Sequence, residues 1–131
     1  EVGLKQYEIS NFGQICRHNL GYWQGKNYLG VGAFSVGFVD GIRYYAKNSI
    51  DAYITQPTHR EREILSQSEL AREHIFLGLR SIVGVESGRL SEAQKKRANL
   101  LVENEKLLFK EGKFYNPNFL LSDEIALFIE G

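Results

Sequence analysis

Apolar positions along this 131-residue chain follow two different rhythms. From Tyr28 to Phe38 they alternate imperfectly, with Leu29, Val31, Phe34, Val36 and Phe38 separated by polar residues and by Gly30, Gly32 and Gly37. A period of two predicts strands. Further on, Leu70, Ala71, Ile75, Phe76 and Leu79, then Ala98, Leu101, Val102, Leu108 and Phe109, recur at spacings of three and four, which predicts helices with one buried face.

Local signals sharpen these elements. A short strand is expected over residues 5–10. Asp40-Gly41, between Phe38-Val39 and Ile42-Arg43-Tyr44-Tyr45, predicts a type I′ hairpin over about residues 33–46. Ser49 can cap a short helix carrying Ile50, Tyr53 and Ile54 that stops near Pro57. Ser66 with Glu69, and Ser91 with Gln94, have capping-box spacing. They predict helices to about Arg80 and about Lys110, with Gly84 and Gly88 marking the loop between them. Residues 113–115 and 119–120 read as a small hairpin, or wing, around Asn116-Pro117-Asn118. Ser122 is expected to cap a terminal helix through Phe128 and Ile129, with Leu121 able to staple against Ala126. The expected fold class is α+β: small antiparallel hairpins with a helical, winged-helix-like carboxy-terminal unit, divided into subregions 1–57 and 58–131.

Composition narrows the function classes. Sixteen basic and sixteen acidic residues cancel, so bulk charge offers nothing to a polyanion, and no nucleic-acid partner is expected. The basic run Lys95-Lys96-Arg97 is interleaved with Glu92, Glu103, Glu105 and Glu111, as on a solvated or scaffold-contacting helix face. One cysteine, Cys16, cannot make an intramolecular disulfide, and no apolar run reaches the roughly 18 residues of a membrane span. A soluble protein in a reducing, cytoplasmic compartment is the expectation. The chain opens at Glu1, and Leu4 to Phe12 already reads as structured, so excision from a longer polypeptide is expected, with removal of a first residue during processing as the other reading.

Candidate chemistry is concentrated in the first forty residues. Cys16 and His18 lie two apart, but His59 and His74 fall in separate elements, which is poor metal-ligand spacing. Gly-x-Ser-x-Gly, His-Glu-x-x-His and a phosphate-binding lysine loop are all missing. Tyr28-Leu29-Gly30-Val31-Gly32 lacks the third glycine of a dinucleotide fingerprint, and a tight sheet contact explains its glycines equally well. Glu8, Ser10, Asn11, Arg17, His18, Asn19, Tyr22, Trp23 and Gln24 form the denser constellation. Tyr22 and Trp23 can enclose a flat ligand, and Arg17 or His18 can bind a carboxylate. The alternative is a loop whose polar groups satisfy buried backbone while its aromatics seal a domain junction.

The ordered set Tyr7-Glu8-Ile9-Ser10-Asn11-Phe12, Cys16-Arg17-His18-Asn19-Leu20-Gly21-Tyr22-Trp23, Tyr28-Leu29-Gly30-Val31-Gly32, Leu77-Gly78-Leu79-Arg80, Gly84-Val85 and Leu121-Ser122-Asp123-Glu124 resembles the carboxy-terminal part of the oxygen-independent coproporphyrinogen III oxidase-like radical S-adenosylmethionine family. The similarity is greatest to its heme-chaperone branch and covers essentially the whole chain. The chain departs from the family after the glycine pair, where its alanine-histidine-serine is not kept.

The resemblance implies an upstream radical-SAM barrel of the same polypeptide, carrying a 4Fe-4S cluster and S-adenosyl-L-methionine, with residues 1 to about 12 continuing the barrel's end. It implies tetrapyrrole or heme as ligand, and a heme-accepting protein as a further partner. No cofactor is expected in this chain alone: the cluster needs three cysteines, and only Cys16 is present. The cofactor-facing residues it implies are Arg17, His18, Asn19, Tyr22, Trp23, Phe34 and Val36; no catalytic residue or metal ligand is implied. A helical unit that binds a protein partner, or oxidative decarboxylation by the whole protein, are the competing readings.

Overall fold

The computed structural model describes residues 3–131. Its elements are α1 (Arg17–Trp23), β1 (Val36–Val39), β2 (Ile42–Tyr45), α2 (Ile50–Thr55), β3 (Glu61–Ile64), α3 (Gln67–Leu79), β4 (Val85–Glu86), α4 (Glu92–Glu103), β5 (Leu108–Lys110), β6 (Lys113–Tyr115) and α5 (Ser122–Glu130). This is the expected α+β class, with small antiparallel sheets and helices toward the carboxy terminus. Two compact units emerge: Lys26–Leu70, and residues up to Gly25 together with Ala71–Gly131.

In Lys26–Leu70 the sheet order is β1-β2-β3, all antiparallel. Asp40 (φ 50°) and Gly41 (φ 81°) both take the left-handed conformation, as a type I′ turn requires. Ser49 Oγ accepts from the Ala52 N–H at 3.1 Å, and α2 ends just before Pro57. Ser66 and Glu69 close their capping box at the start of α3, where the Ser66 hydrogen bonds hold the Glu69 carboxyl below its ordinary range. β3 was not expected: three of its four residues are charged, and that hid its alternation.

The other unit holds the main core. Ile75, Leu79, Val85, Leu107, Phe114 and Ile129 are almost wholly buried there with Ala98 and Ala126. Sheet order is β4-β6-β5. Gly78 lets α3 lie directly on the Gly84 carbonyl, a contact that leaves no room for a Cβ. Asn116 is buried and donates to the Leu79 carbonyl at 3.0 Å, satisfying the open end of α3. The Ser91–Gln94 capping box opens α4.

Four expectations are corrected here. α4 stops at Glu103, not near Lys110: Glu105 turns left-handed (φ 57°), and the N–H groups of Lys106 and Leu107 return to the Leu101 carbonyl. The wing is therefore β5 and β6 around Glu111-Gly112, both with positive φ, and Phe119–Leu121 is a 3-10 turn and not a strand. Ser122 is the first residue of α5, and its hydroxyl donates to the Phe119 carbonyl without capping the helix. Residues 5–10 form only isolated bridges, Gln6 to Phe12 and Glu8 to Ser81, in place of the expected strand. Glu1, the expected start of that segment, lies outside the described residues.

Candidate functional site

Five of the seven expected cofactor-facing residues, Arg17, His18, Asn19, Tyr22 and Trp23, share α1, a helix the sequence reading did not assign. Cys16 takes the N-cap position with extended backbone but makes no side-chain cap bond. The helix stops because Gly25 (φ 67°) returns its N–H to the Tyr22 carbonyl at 3.0 Å. Residues four apart on a helix are neighbours, so His18 pairs with Tyr22 and Asn19 with Trp23 on adjacent edges. The Tyr22 hydroxyl and His18 Nε2 are 2.9 Å apart, with the rings edge to face at 5.0 Å. Arg17, His18 and Tyr22 are exposed, whereas Asn19 and Trp23 are half-buried. The helix thus offers an imidazole, a phenol and a guanidinium to solvent.

Glu8 is placed differently from its neighbours in the motif. It is buried, and the Ser10 hydroxyl donates to both its carboxylate oxygens at 3.1 and 3.3 Å. The Ile9 N–H binds the Arg80 carbonyl at 2.8 Å, and the Tyr7 carbonyl accepts from Ile82 at 2.9 Å. The backbones of Tyr7 and Ile9 therefore hold this segment against residues 80–82 within their unit, while Ser10 and Asn11 stay exposed.

Phe34 and Val36, the other two expected residues, belong to Lys26–Leu70. Phe34 is exposed, and its backbone is left-handed (φ 63°), a conformation uncommon for a bulky residue; its N–H is fixed to the Lys47 carbonyl at 2.9 Å. Val36 is half-buried at the start of β1. A Cβ on Gly30 would meet the Val36 carbonyl at 2.5 Å, and one on Gly37 would meet the Tyr28 carbonyl at 3.2 Å. The glycine-rich run is thus a close backbone crossing, locked by the paired hydrogen bonds of Tyr28 and Phe38. Beside it lies an open groove of about 470 Å³ whose lining includes Leu29, Val31, Val39, Tyr44 and Arg60. Sequence reasoning missed this groove.

Among the described residues no three His, Cys, Asp or Glu side chains converge as metal ligands, and Cys16 is an exposed free thiol. His74 has a structural setting. Its Nε2 accepts from the Glu86 N–H at 3.0 Å, with the Arg89 guanidinium 3.3 Å from Nδ1. Burial first, then the Arg89 charge, push its pKa down to about 4; Glu86 opposes this, and Lys113 adds a smaller lowering. No helix among the described residues is long and apolar enough to cross a membrane.

No family model matches the chain. Curated relatives do. The chain is 38% identical over 89 residues to the heme chaperone HemW of Lactococcus lactis subsp. lactis, covering 63% of this chain and 24% of that protein. It is 36% identical over 98 residues to the heme chaperone HemW of Bacillus subtilis, covering 69% and 26%. It is 34% identical over 101 residues to the mitochondrial radical S-adenosyl methionine domain-containing protein 1 of Danio rerio, covering 65% and 23%. The chain spans about a quarter of the length of these relatives. Among solved structures, coproporphyrinogen III oxidase (HemN) from Escherichia coli, a radical SAM enzyme, matches with a TM-score of 0.64 at 11% identity, covering 97% of this chain and 37% of that one. At that identity the likeness establishes the fold, that of the accessory region following a radical-SAM barrel.

Proposed function

We propose that this chain, which resembles the carboxy-terminal region of the HemW/HemN-like radical-SAM proteins, is an accessory domain that helps enclose the S-adenosylmethionine and tetrapyrrole site of a longer protein. What carries this reading is similarity to several heme chaperones at 31 to 38% identity over 63 to 77% of the chain. In it, Tyr22 and Trp23 flank a flat tetrapyrrole, Arg17 and His18 engage its carboxylates with Asn19 beside them, and Phe34 and Val36 lie toward S-adenosylmethionine. When bound, the cluster and S-adenosylmethionine supply radical chemistry. A 4Fe-4S cluster takes thiolate ligands, and the exposed Cys16 alone does not fit that need, so the chain is inactive by itself and its barrel supplies the cluster. The names of the relatives favour heme delivery to an acceptor protein over oxidative decarboxylation of coproporphyrinogen III.

The test is heme titration of the longer polypeptide. Trp23→Ala is expected to weaken binding about fivefold or more through lost aromatic contact, whereas Lys95→Ala changes it less than about twofold. Equal affinities for wild type and both variants overturn the assignment. A second reading, a winged-helix-like unit that binds a protein partner, draws support from the exposed Leu108 and Phe109 on the wing.

A further inference from the structure

His74 is approached by two donors. The Glu86 N–H, on the edge strand β4, donates to its Nε2 at 3.0 Å, and a guanidinium nitrogen of Arg89 lies 3.3 Å from its Nδ1. A neutral imidazole has one nitrogen that accepts and one that carries a proton. The backbone N–H cannot change role, so Nε2 must be the acceptor and Nδ1 the proton carrier. Nδ1–H and the guanidinium therefore face each other donor to donor. Charging the ring offers no escape, because imidazolium donates from both nitrogens and would abandon the Glu86 N–H as well. What the pair lacks is an acceptor that both can reach.

The surrounding charges set the sign of that acceptor. Burial first, then the Arg89 charge, keep the ring neutral; Glu86 alone opposes them, and Lys113 adds to the push. Register sets Glu86 beside Lys113, and Lys113 beside Lys110, in one row across the sheet. The Glu86 carboxylate is 3.8 Å from the Lys113 ammonium, so its charge is already shared. Among the described residues Arg89 has no carboxylate partner. Arg89 is exposed, and a Cβ on Gly88 beside it would meet nothing within 4 Å, so the turn Ser87–Arg89 leaves the approach open.

We propose that His74 Nδ1 and the Arg89 guanidinium bind a small oxyanion, a phosphate or carboxylate group whose oxygens accept from both. Such bonds are charge-assisted on the Arg89 side and stronger than those to water, which supplies lone pairs but no charge. The bound anion ties α3 to the turn that follows β4. No residue of α1 takes part, so the site stands or falls apart from the function proposed above.

The full chain is titrated with sodium phosphate and separately with sodium acetate at slightly alkaline pH, with sodium chloride holding the ionic strength constant, and followed through the NMR signals of its imidazole nitrogens. Without added anion, His74 is expected as the neutral Nδ1–H tautomer. Millimolar phosphate is expected to shift its Nδ1 signal saturably while the signals of His59 stay in place. Arg89→Gln should weaken this binding about fivefold or more, whereas Lys95→Gln, which removes the same charge elsewhere, changes it less than about twofold. Backbone amide spectra matching wild type accompany both variants. Response to both anions assigns the site to oxyanions at large, and response to one alone assigns it to that group. A His74 proton on Nε2, no saturable shift with either anion, or Arg89→Gln and Lys95→Gln titrating alike overturns the inference.

Discussion

In the unit containing Ala71–Gly131, apolar side chains from Ile75 to Ile129 close into one core, and the buried polar groups Asn116 and Ser122 are hydrogen-bonded. In Lys26–Leu70, Ala46 and Leu65 are buried, but Leu29, Val31, Phe34, Ile50, Ile54 and Ile64 face outward. The first region joins its buried side chains into one core while Leu108, Phe109, Leu120 and Leu127 also stay exposed, and the second buries few apolar side chains and is held by backbone pairing and tight turns. Exposed apolar clusters of this kind mark surfaces made for contact. Substitutions of buried residues in the first region should therefore cost more stability than substitutions of exposed residues in the second.

The largest break is expected at Gly78→Ala. The new methyl would collide with the Gly84 carbonyl and come within 2.8 Å of Val85 Cγ2, and backbone cannot yield as a flexible side chain does. A loss of about 2–3 kcal/mol, net of the gain in helix propensity, should be read in urea unfolding. No loss would mean that α3 is not seated on that turn.

A smaller effect concerns His74. Its folded-state pKa of about 4 lies below the ordinary 6.5, so the unfolded chain binds the extra proton first as pH falls. Its contribution is complete above pH 6.5 and is lost progressively toward pH 4; partial solvent screening reduces it to roughly 1–2 kcal/mol. His74→Gln should flatten that part of the stability profile, and an identical slope in the variant would contradict the assignment. The smallest effect is expected at Leu29→Ser: within about 0.5 kcal/mol of wild type in unfolding, because the side chain is already in water. A loss of several kcal/mol there would erase the contrast between the regions.

Much of this architecture was legible where one residue type answers one backbone need. Asp40-Gly41 announced its turn because both positions require positive φ, and Ser66, Glu69, Ser91 and Gln94 announced two helix starts by reciprocal bonding. Elements set by competing signals were obscure. Leu107, Leu108 and Phe109 continue the helical period of α4, yet the left-handed Glu105 ends it and releases them to core and wing. The helix of residues 17–23 could not be read, because Gly21 and the uncapped Cys16 both argue against one. Glu8 looked outward as a carboxylate in a polar motif, although Ser10 two residues later was the partner that lets it turn in.

The parity of Glu61-Arg62-Glu63 has a genetic corollary. Deleting one residue from the loop ahead of β3, with pairing re-formed one step along, would bring glutamates against Tyr44 and send the arginine to the far side. The basic neighbour of Tyr44 would be exchanged for acidic ones while Glu61, Arg62 and Glu63 all remained in the chain, so the spacing of this loop matters as much as the identities it delivers.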